Sequence, residues 1–387
     1  MKNIKPILFA GMMSLLASSV QAADNSPNVY LNGTVAKEVV PIMRNGSTLV
    51  PLKAVSSLLG ATTHWDSKNK QVTVIKGETI NTLTINEKVA HKQEGAIQTI
   101  VQLAAPAIVE NGATYVPLRY IAESLDVKVD WVSQSQSVYL GEGINYKGKT
   151  IHLGSDLEEI KKSLGDPDLS LSDGEYDLLF YTKDADETMI FYMLDNELTG
   201  FCTNARSFAF RNYTYNAAAT IEDKKIVAIK DQMNNHNIVA LGYNIRSNTG
   251  NSTSSAFLKA NERVVVALTN GFRAHNGVEA LNYNEQIATI ARSHSKDMAT
   301  ANYFNHTNLQ GVSASERLTN GGINWKSCAE NIAAGMGLGI EAYGQWLNSA
   351  GHRENMLKQT GDIGVGAAYS SSSTYGYYYT QNFAKVR

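Results

Sequence analysis

The sequence predicts an α+β protein of several domains, and three observations carry that reading. A nine-residue stretch, Asn45-Gly46-Ser47-Thr48-Leu49-Val50-Pro51-Leu52-Lys53, returns as Asn111-Gly112-Ala113-Thr114-Tyr115-Val116-Pro117-Leu118-Arg119. The last third separates a helix-patterned start, 257–305, from a strand-patterned end, 361–385, as a layered domain does. Between these parts the composition shifts near Lys147 and again in the Ser-, Asn-, Thr- and Gly-rich segment 246–255. At 387 residues the chain has room for two or three domains, and its 43% hydrophobic and 18% charged content is that of a globular protein.

The chain opens with Lys2 and Lys5, an apolar run at 7–16 and the small-residue pattern Val20-Gln21-Ala22. That is the layout of an export leader, so residues 1–22 read as a signal peptide and the mature protein as secreted. The run is broken by Gly11 and Ser14 and is too short to span a bilayer. No later stretch could span one, and no sorting motif follows the last expected strand before Arg387. Removing the leader removes two lysines and no acid, so the net charge goes from −2 to −2 − 2 = −4. A weakly acidic chain without a basic stripe excludes nucleic acid as a partner. Cys202 and Cys328 fall in different expected domains, which predicts two free thiols.

The repeat offset, 111 − 45 = 66, holds beyond the nine residues: Leu59 matches Leu125, Trp65 matches Trp131, Ser67 matches Ser133 and Val72 matches Val138. In each copy Asn-Gly makes a tight turn, a short strand follows, and Pro51 or Pro117 opens a helix. Val55, Leu58 and Leu59, like Ile121 and Leu125, give that helix an apolar face. The segments after Trp65 and Trp131 alternate as strands. Each unit is too small to bury a core alone, so the two copies are expected to pack together. This stretch, 28–141, resembles the copper amine oxidase N-terminal-like (stalk) domain of secreted bacterial proteins. No copper is expected: the quinone-forming motif, Asn-Tyr followed by an acid, is absent, since Asn282-Tyr283 precedes Asn284 and lies elsewhere. His64 and His91 read as surface residues. The module reads as an attachment or spacing unit at the cell wall, or else as a scaffold without a ligand.

Residues 147–243 form the expected αβ middle domain. Ser155 reads as the N-cap of a short helix ended by Gly165 and Pro167, with Asp156, Glu158 and Glu159 on a solvated face. Strand-like runs follow at 178–182, 188–194 and 208–215, and Asp195-Asn196 suits a hairpin turn. Residues 246–256 read as a flexible linker.

The C-terminal domain, 257–387, opens with an amphipathic helix marked by Phe257, Val264, Val265, Leu268 and Phe272, broken at Gly277. His275 reads as a helix-end residue interacting with the dipole. A second helix, from Asn284 to about Met298, puts Ile287, Ile290, Ala291 and His294 on one face, which makes His294 a core histidine. His306 lies beyond it in polar Asn305-His306-Thr307-Asn308. Glu341 reads as exposed helix surface. Tyr375 and Tyr377 to Tyr379 are strand formers whose alternate members should face the core, the rest lining a groove for glycan or peptide.

Asn270, Arg273, Leu281, Ala288, Ala291, His294, Met298 and His306 stand in an order similar to the bacterial branch of the CAP superfamily, which comprises cysteine-rich secretory proteins, antigen 5 and pathogenesis-related proteins. Gly364-Val365-Gly366 and Tyr378-Tyr379-Thr380-Gln381-Asn382-Phe383 look like that family's closing strands. The middle segment resembles the CAP-associated domain that precedes bacterial CAP domains. The resemblance implies an α-β-α sandwich and a cavity holding His306, Glu330 and His352. Glu330 matches the glutamate of a Gly-Glu-Asn signature, with Ala329 in place of the glycine. Eukaryotic members carry a further glutamate three residues after the helix tryptophan; here Trp346 is followed by Ser349, a poor metal ligand.

Two imidazoles and a carboxylate suit Zn²⁺ or another divalent cation and leave a position open for water. The same residues would also serve as a hydrogen-bonded network that holds loops together. A Ser349–His352 dyad lacks a nucleophile elbow and an orienting acid. The expected function is non-enzymatic binding at the cell envelope, with a cell-wall polymer or surface protein as partner and a weak metal site. The alternative is a zinc-dependent hydrolase of peptide or wall polymer, with Glu330 as base. A third reading, apolar-ligand or lipid binding as in some eukaryotic relatives, has no groove assigned to it.

Overall fold

Both Asn-Gly pairs adopt the left-handed conformation the hairpin requires, with φ of 51° and 74° at Asn45 and Gly46 and 50° and 76° at Asn111 and Gly112. Each turn joins a short strand to a longer one: Ile42–Arg44 to Ser47–Pro51, and Ile108–Glu110 to Ala113–Pro117. The two long strands then pair with each other, so all four make one sheet. In that ladder Val50 faces Val116, its own counterpart in the repeat. Equivalent residues meet only on a local two-fold axis, which therefore runs between the copies. Arg44 and Glu110, also 66 apart, form a forked ion pair at 2.7 and 2.8 Å beside it. The computed structural model describes residues 26–31, 34–132, 136–141, 143–246 and 251–387. The expected leader, 1–22, and the centre of the expected linker, 247–250, lie outside the described residues.

The helices Leu52–Leu58 and Leu118–Ser124 follow their prolines and send Val55, Leu59, Ile121 and Leu125 into one core shared by both copies. The first copy continues into a five-stranded meander, from Thr62–Asp66 to Ile97–Gln102, and the strand Asn28–Leu31 pairs in parallel with Ser137–Leu140. Because the central ladder joins the copies, a fragment spanning 26–145 should unfold in one cooperative transition. Either half alone should show none, its strand edge and core face being exposed. Denaturant unfolding followed by circular dichroism tests this, and a cooperative transition in an isolated half would contradict it.

Aromatic stacking ties this module to the next. The Tyr30 and Tyr139 rings lie 4.9 Å apart, and Tyr139 and His152 4.8 Å apart, both nearly parallel. The helix Leu157–Leu164 is capped by Asp156, whose carboxylate accepts from Glu159 N at 2.8 Å; Ser155 is not the cap. Glu159 is not on a solvated face either: it is buried and accepts a hydrogen bond from Tyr139 Oη at 3.0 Å. The expected turn at Asp195-Asn196 is present, with φ of 50° and 66°, but its second strand, Glu197–Thr203, escaped the sequence reading. Residues 208–215 contribute two-residue strands to a separate small sheet.

The six-stranded middle sheet is buried on both faces, and its strands alternate between two cores. Met189, Phe191 and Met193 face one; Ile190, Tyr192 and Cys202 face the other. The second core also contains Phe257, Val264, Val265, Leu268 and Trp346 of the C-terminal domain. Middle and C-terminal parts therefore share a hydrophobic core and do not stand as beads on a linker. Polar contacts agree: Asn204 Nδ2 donates to Leu268 O at 2.9 Å, and Arg353 pairs with Asp231 at 2.9 Å. His275 is the last residue of the helix Ser255–His275, as expected, and also belongs to this contact. Its ring nitrogens bond Tyr215 Oη at 2.8 Å and Asp186 O at 3.0 Å, and burial holds its pKa below the usual value. Both cysteines are free: Cys202 is buried under the shared core, and Cys328 lies on another sheet.

The C-terminal sheet runs Asn282–Tyr283, Asp362–Tyr369, Tyr377–Val386, Trp325–Ala334 from edge to edge. The helix Glu285–Ala301 covers one face. The helices Ser255–His275 and Gly339–Leu347 cover the other, and the middle sheet lies outside them. Gly364 and Gly366 explain the close seat of the first helix: a methyl at either would overlap the backbone of Ala288 or Arg292. Both sheet edges are closed by side chains, the device by which proteins keep edges from pairing with other chains. At one edge buried Glu262 accepts from Ala367 N at 2.9 Å and binds Arg292 Nε at 2.8 Å. At the other, Trp346 Nε1 donates to Ile332 O at 3.0 Å and Asn355 Nδ2 to Glu330 O at 3.3 Å.

Candidate functional site

The helix Glu285–Ala301 stops at Asn302, which takes φ of 53° and turns the chain back along the sheet. His294, buried as expected, holds the returning loop through Nε2 to Asn305 O at 3.0 Å, and burial keeps its pKa below the usual value. His306 follows immediately. A second clamp comes from the helix Ala314–Asn320, whose Ser313 and Glu316 form a capping box. From that helix Arg317 Nη1 donates to His306 O at 2.8 Å and to Val312 O at 2.9 Å.

Glu330 comes from the edge strand Trp325–Ala334 and points under this loop. Its two oxygens have separate partners. Oε1 accepts from His306 Nδ1 at 2.9 Å, and Oε2 accepts from Arg317 Nη2 at 2.6 Å. The glutamate and arginine side chains are 3% and 10% exposed, whereas that of His306 is 53% exposed. Charge is thus neutralised at the base of the site and an imidazole stands at its mouth. With Nδ1–H donated to the carboxylate, Nε2 carries the free lone pair.

His352 rises from the helix Ala350–Leu357 on the far side of the edge strand and is partly buried. Asn331, next to Glu330, donates to His352 O at 3.1 Å and to Gln381 Oε1 at 2.9 Å, while Asn355 donates to Asn331 Oδ1 at 2.9 Å. Gln381 in turn reaches Thr269 of the long helix at 2.9 Å. Burial, and then the neighbouring His306, lower the His352 pKa. Ser349 begins this helix without a side-chain cap bond.

The structure therefore joins His306 directly to Glu330, and holds the backbone of His352 to Asn331 of the same strand. Among the described residues no three His, Cys, Asp or Glu side chains are gathered as a ligand group for a metal ion. His64 and His91 stand exposed on separate strands of the meander. Glu341 is not a bare surface residue: its oxygens accept from Leu338 N at 3.2 Å and from Arg246 at 2.7 Å. Sequence reasoning missed Arg317, Asn331 and Asn355. The capping box Ser313-x-x-Glu316 was a visible signal for the helix that carries Arg317, and Asn331 is the asparagine of the Glu-Asn signature; nothing local marks Asn355.

Residues 266–383 match the family model of the cysteine-rich secretory protein family, and residues 30–140 match that of the copper amine oxidase N-terminal domain. YkwD of Bacillus subtilis, an uncharacterized protein, is 38% identical over 128 residues, which are 33% of this chain and 49% of that protein. YlbC of the same organism, described as an uncharacterized membrane protein, is 36% identical over 125 residues, 32% of this chain and 34% of that protein. The chain thus spans about half and a third of the length of these two relatives. Among the described residues no helix is long and apolar enough to cross a membrane. A solved extracellular protein containing a SCP domain, from Bacillus anthracis, shares the fold with a TM-score of 0.50 and 22% identity. It covers 60% of this chain and 93% of its own, so the likeness of fold reaches back past the C-terminal domain. The layered sheet with His306, Glu330 and His352 at its edge, taken with these matches, makes residues 266–383 a domain of the cysteine-rich secretory protein family, carried behind a copper amine oxidase N-terminal domain.

Proposed function

We propose that the protein is secreted, associates with the cell envelope and acts by binding, its C-terminal cleft taking a divalent cation weakly through His306 and His352. The observation that carries the reading is the double engagement of Glu330, by His306 at 2.9 Å and by Arg317 at 2.6 Å. A carboxylate so held supports a histidine ligand from behind, fixing its tautomer, as carboxylates do behind metal-bound imidazoles. It is poorly placed to leave Arg317 and act as ligand or as general base. Two nitrogen donors fit a divalent ion that keeps several waters, which means low affinity. The lowered pKa of His352 keeps that ring neutral near pH 7, in the form that ligates. Export is supported by the leader pattern at 1–22 and by the description of the Bacillus anthracis relative as extracellular. The two-copy module at 30–140 serves in this reading as the attachment or spacing unit, with a cell-wall polymer or surface protein as partner.

Zinc titration by calorimetry at pH 7.5 and 5.5 tests the site. Binding should weaken by roughly ten-fold or more at the lower pH, because protons compete for imidazoles that titrate at about 6.5 when unperturbed. It should be lost in His306→Ala/His352→Ala. Equal affinity at both pH values would exclude histidine ligation. Zinc-dependent cleavage of casein or peptidoglycan, abolished by Glu330→Ala, would establish the hydrolase reading instead.

A further inference from the structure

The two closing strands of the C-terminal sheet are joined by Ser370-Ser371-Ser372-Ser373-Thr374-Tyr375-Gly376, flanked by Tyr369 and Tyr377. Eight of these nine consecutive residues carry a hydroxyl, three of them on an aromatic ring, and none of the nine is charged. The turn is held by its own bonds: Ser370 N to Gly376 O at 2.9 Å, Ser373 Oγ to Ser370 O at 2.9 Å, and Gly376 N to Ser373 Oγ at 3.2 Å. Thr374 N donates to Asn302 Oδ1 at 2.7 Å, which fastens this turn to the loop that leads into His306. The result is a pair of rings presented to solvent. Phe304 is 42% and Tyr375 48% exposed, with centroids 5.9 Å apart, and Tyr375 is supported edge-on by buried Tyr378 at 5.9 Å. Phe304 precedes His306 by two residues, at most about 7 Å of extended chain, and residues 304–306 are all exposed, so the rings and His306 stand on one stretch of surface.

We propose that Phe304, Tyr375 and the serine-rich turn form a recognition platform for a neutral glycan chain that runs on toward His306. Keeping two large rings exposed together, tilted by 59° to each other, has a cost that a ligand seated against them removes. A pyranose ring offers apolar C–H faces for the rings and hydroxyls for the serine and threonine oxygens. Tyrosine and serine together make a surface of rigid contact area and adaptable hydrogen bonding, as in antibody binding loops. The internal bonds of the turn mean that little ordering is left to be done on binding. The absence of charge from the turn selects a neutral polymer over a phosphate-rich or acidic one. This inference rests on the binding role proposed above and specifies its ligand class.

The test uses the mature chain, 23–387, and chitohexaose, a neutral N-acetylated hexasaccharide, in calorimetric titrations at low and high salt. Expected are saturable binding that is insensitive to salt, a loss of about ten-fold or more in Phe304→Ala and in Tyr375→Ala, and retention in Tyr375→Phe, each variant melting within a few degrees of the parent. Unchanged affinity in a folded Phe304→Ala/Tyr375→Ala double variant would overturn the platform. So would salt-sensitive binding of poly(glycerol phosphate) with none of the hexasaccharide. Binding to whole cell-wall sacculi without binding to the hexasaccharide would sink the glycan platform and leave the envelope-binding role standing.

Discussion

Replacing Arg292 by methionine destabilises the C-terminal domain by about 3–5 kcal/mol at pH 8, the usual consequence of leaving a buried carboxylate without its cation. The carboxylate is that of Glu262, whose side chain is 1% exposed and which receives Arg292 Nε and Ala367 N at the open edge of the sheet. Burial already raises the Glu262 pKa to about 7, against the opposing pull of those partners. The sign of the pH dependence follows. A carboxyl whose folded pKa lies above its unfolded value contributes stability below the unfolded value, and loses it as pH rises through the folded one. Without Arg292 the folded value rises further, so the penalty is largest at pH 8 and shrinks toward pH 5, where the carboxyl is protonated in parent and variant alike. Melting temperatures of both proteins across pH 5–8 measure this. A deficit that stays constant over that range would show that Arg292 acts through packing.

Gly366→Ala should cost about 3 kcal/mol or more, while Gly351→Ala, the same change in chemistry, should be nearly neutral. At Gly366 the new methyl overlaps the backbone N of Arg292 and C of Ala291, atoms that cannot rotate aside, so the helix Glu285–Ala301 must lift from the sheet. That helix positions His294 and the loop leading to His306, so the substitution should also weaken the zinc binding proposed for the site. At Gly351, in the first turn of the helix Ala350–Leu357, a methyl meets nothing within 4 Å, and alanine is the better helix former. Equal melting temperatures for Gly366→Ala and the parent would mean that the helix does not seat where these contacts put it.

The local rules of the chain were legible because they depend on neighbours in sequence. Asn-Gly at both copies of the repeat takes positive φ because a two-residue hairpin demands it. The apolar spacing of Phe257 to Phe272 makes a helix wherever it is placed, and His294 was recognisable as core from its place on such a face. The setting of Glu330 between Ala329 and Asn331, and of His352 after Trp346, picks them out as candidates from neighbours in sequence alone. Helix caps were less legible: Asp156 and not Ser155 caps its helix, since adjacent polar residues compete for the same N–H and backbone geometry decides.

What the sequence determined by itself, then, is the duplication and the layered class of the C-terminal domain, together with candidates for its site. Only the tertiary structure decided what those residues do to one another. Arg317 reaches Glu330 across 13 residues of sequence, and Asn355 reaches the edge strand across 25. No period or motif encodes such meetings, which arise when independently formed elements stack. The same holds for the middle sheet, whose second face became a shared core because the helices Ser255–His275 and Gly339–Leu347 left an apolar side uncovered. Each of those faces is readable from its own strand or helix, but which face meets which is settled by the packing of the whole chain.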